Sequence, residues 1–100
     1  MTNFRSKPLL HLASECENCQ FCGVYAPKAI VGCHPNGLKY GKGTGQKAHD
    51  LVAFLCPECH NILDGRAGTL TRFERDAMFL ESFYSTMLWA FKDGRLRVVA

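Results

Sequence analysis

Apolar positions along the chain fall into a few short runs and one long periodic stretch. Leu9, Leu10 and Leu12 form a brief run near the start. Ala29-Ile30-Val31-Gly32-Cys33-His34 is β-prone and ends at Pro35-Asn36-Gly37, a strong turn signal. Leu51-Val52-Ala53-Phe54-Leu55 reads as a short buried strand. Pro57 fits the first position of a helix, where its missing N–H costs nothing. That helix is expected to run to Leu63 or Asp64 and to stop at Gly65. The local order is strand, loop, strand, short helix.

The last third carries the long period. Thr71-Arg72-Phe73-Glu74 has the form of a capping box, so a helix is expected from about 72 to 92, ending at Asp93-Gly94. Phe73, Ala77, Leu80, Tyr84, Met87, Leu88 and Phe91 fall on one stripe at helical spacing, which reads as the core face. Phe79, Phe83 and Ala90 widen the stripe. Met78 and Trp89 lie on the opposite side, near Arg75, Glu81 and Ser82. A helix apolar on more than one side sits deep in its domain or meets a partner, and this one is expected to contribute a homodimer contact. Arg95-Leu96-Arg97-Val98-Val99 alternates and reads as a final strand. The expected class is α+β.

The length of 100 residues suits one domain with a modest core, which a metal staple would help. Charged residues make up 21% and hydrophobic residues 47%, which excludes a disordered chain. The formal charge of +3 is compatible with nucleic acid without requiring it. The start of the chain lacks the apolar core of a signal peptide, and no run is long enough to span a membrane. A cytoplasmic home is therefore expected. In that reducing compartment six cysteines point to metal or redox work rather than disulfides. The chain lacks the βαβ pattern of a thioredoxin-like motif, and it has two separated C-x-x-C pairs.

Those pairs select zinc. Cys19, Cys22, Cys56 and Cys59 can supply four thiolates to one ion. Cys16 also stands three positions before Cys19, in C-x-x-C spacing, and is the alternative to it. Gly23, directly after Cys22, favours Cys19. Cys33 reads as a small buried strand residue.

A second constellation suits hydrolysis of a phosphodiester, which needs a base, a divalent cation and positive groups. His34 closes a strand and precedes a Gly-rich loop at 35–49. Lys39, Tyr40, Lys42 and Lys47 in that loop resemble a phosphate grip, which Arg66 and Arg72 extend. His60 and Asp64 are four apart and face the same way on a helix. An imidazole and a carboxylate make a plausible pair for Mg or Mn. Asp50 is placed to orient His34 or to bind the metal, with His49 as an accessory.

These pieces resemble the HNH, or His-Me finger, nucleases. The resemblance is carried by Cys19-Gln20-Phe21-Cys22-Gly23, His34-Pro35, Asp50 and Leu55-Cys56-Pro57-Glu58-Cys59-His60-Asn61. More narrowly the chain looks like the YbcO-like nucleases of prophages, through Gly43-Thr44-Gly45-Gln46-Lys47, Asp50-Leu51, the Cys59-to-Arg66 stretch and the long C-terminal helix. It covers roughly residues 16–99. It implies a zinc-stapled ββα-metal core at about 16–66. It also implies DNA as substrate, branched or single-stranded forms included. His34 would be the general base, His60 part of the catalytic metal site, and Asp50 the occupant of the usual middle Asn position. Two features depart from the family. Cys33 stands where a metal-binding Asp often precedes the base, which shifts weight to Asp64. Asp50 lies one position further from Cys56 than usual. The rival expectation is a zinc-dependent nucleic-acid-binding module without catalysis.

Overall fold

The computed structural model describes residues 7–35, 51–92 and 94–99. A short helix α1 (Lys7–His11) leads into a 3-10 turn (Leu12–Glu15). Strand β1 (Val31–Cys33) pairs antiparallel with β2 (Ala53–Leu55), in the register Val31 to Leu55, Gly32 to Phe54 and Cys33 to Ala53. Helix α2 (Pro57–Leu63) follows at once, and α3 (Arg72–Lys92) closes the order. The result is a small α+β unit with one two-stranded sheet. No helix among the described residues is long and apolar enough to cross a membrane.

Two strands of three residues cannot hold themselves together in water. They persist because β2 is buried from every side. Val52, Ala53, Phe54 and Leu55 are fully buried. Antiparallel pairing with β1 uses the groups of β2 that face it. The two backbone groups of Phe54 point the other way and find other partners. Its N–H donates to Thr86 Oγ1 at 3.1 Å, and its carbonyl accepts from the Gln20 N–H at 2.9 Å. Helix α3 and the segment around Gln20 therefore dock on the same residue. The Phe54 ring meets Trp89 edge to face, with centroids 5.8 Å apart.

Helix α2 starts as its sequence dictates. Cys56 is the N-cap, Pro57 occupies the first turn, and the His60 N–H bonds the Cys56 carbonyl at 2.9 Å. It stops at Gly65, whose φ of +77° is left-handed. The Arg75 guanidinium lies against Gly65, where a Cβ would collide with it. The start of α3 is a reciprocal capping box. The Thr71 N–H donates to Glu74 Oε1 at 2.8 Å, and the Glu74 N–H donates to Thr71 Oγ1 at 3.1 Å.

The face that α3 buries is not the apolar stripe. Met78, Phe79, Ser82, Thr86 and Ala90 are buried, with Phe83 and Trp89 partly so. Phe73, Ala77, Leu80, Tyr84, Leu88 and Phe91 face outward. The expected core face is thus the exposed one. Two small hydroxyl side chains explain the inversion. Ser82 donates to the Met78 carbonyl and Thr86 to the Ser82 carbonyl, each at 2.7 Å. A hydroxyl bonded to the carbonyl four residues back is satisfied without water, so it can be buried. Thr86 in addition accepts from β2, which a larger apolar residue would not do.

The final strand is also absent. Residues 94–99 follow the end of α3 as turn and coil. The Gly94 N–H returns to the Phe91 carbonyl, and the Leu96 N–H to the Ala90 carbonyl at 2.9 Å. Arg95 sits over the Trp89 ring, 4.4 Å from its centroid. The alternation at 95–99 thus serves to wrap the chain onto the end of α3, and Val98 and Val99 stay exposed.

Thr86→Val is expected to destabilise the fold by about 1–3 kcal/mol, because it leaves the Phe54 N–H buried without an acceptor. Phe73→Ser, on the exposed stripe, should stay within about 0.5 kcal/mol. Urea denaturation of both variants checks this, at a protein concentration low enough to exclude self-association.

Candidate functional site

The segment before β1 is a tight hairpin. Asn18 and Tyr25 form a bridge, the Cys19 N–H bonds the Val24 carbonyl at 2.9 Å, and the Gly23 N–H bonds the Cys19 carbonyl at 3.0 Å. Gly23 takes φ +81°. That turn swings Cys22 back beside Cys19. The other pair is set by the first turn of α2, which places Cys59 one turn from Cys56. The hairpin is held to this junction by Gln20, whose N–H bonds Phe54 and whose Oε1 accepts from Ser85 Oγ at 2.8 Å.

The four sulfurs of Cys19, Cys22, Cys56 and Cys59 consequently lie within 4.8 Å of one another. A tetrahedron with Zn–S bonds of about 2.3 Å has S···S edges of about 3.8 Å. Cys22 and Cys56 stand 3.9 Å apart, which fits that edge and is far too long for a disulfide. The residues present therefore fit a structural zinc. Cys16 is outside the group. Its thiol donates to the Asn18 carbonyl at 3.2 Å and accepts from Gln20 Nε2 at 3.3 Å, so it braces the hairpin from behind. Cys33 is a buried strand residue, as expected.

Electrostatics support the same division. Burial pushes the Cys19 thiol up, but the backbone N–H groups of Cys56, Cys22 and Phe21 outweigh it and hold the thiol at about 7. Burial, then the neighbouring Cys56 and Cys19 sulfurs, push Cys59 up, and burial raises Cys56. Four thiols this close cannot all ionise unless a cation offsets their repulsion. Burial and the Asp64 charge push Cys33 up to about 12, so it is a neutral thiol.

Directly after Cys59, His60 places its Nε2 2.9 Å from Oδ2 of Asp64, one turn further on. The Asp64 side chain is 9% exposed and that of His60 31%, so the pair sits at the surface of the unit without being loose on it. Arg66 Nη2 reaches the same oxygen at 3.4 Å. His34 directly follows β1, next to Cys33, which lies close enough to Asp64 to feel its charge. Asp50, His49 and the loop residues Lys39, Tyr40, Lys42 and Lys47 lie outside the described residues. Sequence reasoning missed Arg75, whose guanidinium covers Gly65 right beside Asp64 and Arg66. Only its place in the helix, not its spacing from other site residues, could have signalled this.

No family model, curated protein or solved structure matches the chain. What the chain can do is therefore set by the chemistry of the site itself.

Cys19→Ser and Cys56→Ser are expected to lose the zinc that Cys16→Ser retains, as metal analysis of the purified variants would show. Because Cys56 and Cys59 hold their protons more tightly than ordinary thiols, zinc should be released as pH falls and not as it rises. Following metal release with a chromogenic chelator during acid titration checks the sign.

Proposed function

We propose that this chain is a metal-dependent endonuclease of the HNH type, of the kind carried by prophages, that hydrolyses DNA phosphodiester bonds. The observation that supports it most is the layout of one small unit. A histidine follows the first strand of an antiparallel pair. A His–Asp pair sits on the helix after the second strand. A four-cysteine cluster ties that helix in place. Strand, strand, helix in that order is the ββα-metal arrangement that the sequence resembles.

In this reading His34 takes a proton from the attacking water. His60 and Asp64 hold Mg or Mn, and an imidazole with a carboxylate suits those ions. When bound, the cation would stabilise charge on the scissile phosphate and its leaving oxygen. Asp50 orients His34. Lys39, Tyr40, Lys42 and Lys47 grip the backbone without reading sequence, and Arg66 and Arg75 extend that positive surface. The enzyme works in the cytoplasm on DNA, branched and single-stranded forms included.

One observation favours a second reading, a zinc-dependent nucleic-acid-binding module without catalysis. Cys33 stands beside His34 where the family often carries a metal-binding acid, and its buried thiol is neutral. It adds no charge to a cation site. The nuclease reading therefore places the whole anionic share of metal binding on Asp64.

The test is cleavage of plasmid, branched and single-stranded DNA by the zinc-loaded chain, with EDTA, Mg or Mn. Cutting should require added Mg or Mn. Loss of a general base typically costs about 10²–10⁴-fold, so His34→Ala should fall by that much while it keeps its zinc. Asp64→Asn should raise the Mg or Mn concentration needed for half-maximal rate. Salt-sensitive DNA binding by the parent, with no cutting at any metal concentration, would establish the binding module instead.

A further inference from the structure

The outward face of α3 has a regularity that the core does not explain. Phe73, Ala77, Leu80, Tyr84, Met87 and Phe91 are separated by four, three, four, three and four residues. That is the a/d repeat of a coiled-coil seam, sustained over the full helix. Phe73 is 82% exposed, Tyr84 62% and Leu88, beside the seam, 74%. A buried aromatic side chain covers about 150–250 Å². At their observed exposures these side chains present roughly 600 Å² of apolar surface, the top of the range for the largest patch on a soluble monomer.

We propose that this seam is the interface of a homodimer in which α3 packs antiparallel against α3 of a second copy. Area is the first argument. Two such faces would bury about 1,200 Å² in total, the lower bound for specific, stable interfaces. Side-chain volume is the second, and it sets the direction. An antiparallel pair centred near Ser82 puts Phe73 opposite the second copy's Phe91, Ala77 opposite its Met87, and Leu80 opposite its Tyr84. The one small residue, Ala77, meets the long Met87, and Leu80 meets the larger Tyr84. A parallel pair in register would stack Ala77 on Ala77 and Tyr84 on Tyr84, which leaves a gap in one layer and crowds another.

The groove lined by Tyr84, Met87, Leu88, Phe91 and Lys92 gives the same answer. Phe73 stands at the other end of the helix and is the most exposed member of the seam. Only antiparallel pairing brings the second copy's Phe73 to that groove.

Sedimentation equilibrium of the full zinc-loaded chain tests the association. A species of twice the chain mass is expected. The double variant Leu80→Glu, Leu88→Glu should weaken association by at least about 100-fold, since it places charges in a desolvated seam. Both positions are exposed in the monomer, so zinc content and helical circular dichroism should match the parent. Direction is read by electron–electron distance measurement with a spin label on a non-thiol residue introduced at Lys92. The antiparallel pair predicts a label distance of about 30 Å, from a rise of 1.5 Å per residue, against about 10–15 Å for the parallel pair. A parent that stays monomeric at about 100 μM, above the μM-to-pM range of specific interfaces, would overturn the proposal. So would a dimer indifferent to the double variant, or the short distance. Loss of helix or zinc in the double variant would mean that the chain itself covers the face, and would overturn it as well.

Discussion

The convergence of four cysteine sulfurs is the constraint on which the rest of the structure depends. Cys22 and Cys56 are 34 residues apart in sequence and 3.9 Å apart in space. Each pair comes from a short, locally determined turn that would be worth little alone. Joined through one ion, they would fix a hairpin of the first half against the β2–α2 junction of the second. A sheet of two three-residue strands offers no comparable anchor. The loop that this contact closes contains the whole of residues 36–50, and closing a loop of that length costs entropy that a thiolate–metal centre readily offsets.

Phe54 is the packing counterpart of that constraint. Its ring fills the space under Trp89, and its two outward backbone groups are shared between α3 and the hairpin. Gln20 then links the hairpin to α3 through Ser85. The cysteine cluster and the long helix are therefore not independent modules. They meet on one residue of one strand. A change at Thr86 or Gln20 would be felt at the cysteines, although neither residue offers a ligand.

Much of this was legible in the sequence, and the parts that were not share a cause. Turn and cap chemistry is local, so the boundaries of α2, the capping box at Thr71 and the Cys-x-x-Cys turns could be read from a few adjacent residues. The choice of Cys19 over Cys16 followed from Gly23, which the structure uses at positive φ. The pattern points to the wrong face of α3 because polarity does not imply exposure there. Ser82 and Thr86 satisfy their hydroxyls within their own helix, and Thr86 also serves β2. That second partner is 32 residues away and leaves no mark on the periodicity. The alternation at 95–99 was misread for a similar reason. Arg95 was assigned to a strand when its partner is the face of Trp89. Where a residue's partner is distant in sequence, the pattern alone cannot tell a core stripe from a free one.

The same geometry ties the candidate chemistry to the staple. Cys56 caps α2 and Cys59 and His60 lie side by side in its first turn, while Asp64 ends the helix one turn on. A seven-residue helix has too few hydrogen bonds to hold its own direction in water. What fixes the direction of the His60–Asp64 pair is thus the cysteine cluster at one end and Gly65, packed under Arg75, at the other. On the proposed function, the structural metal acts through position. It sets where the second cation can sit relative to His34, and it does so without touching substrate. An error of 1 Å in such a placement can cost about 10²-fold in rate. That sensitivity is a physical reason for a protein of this size to commit four cysteines to a site that performs no chemistry.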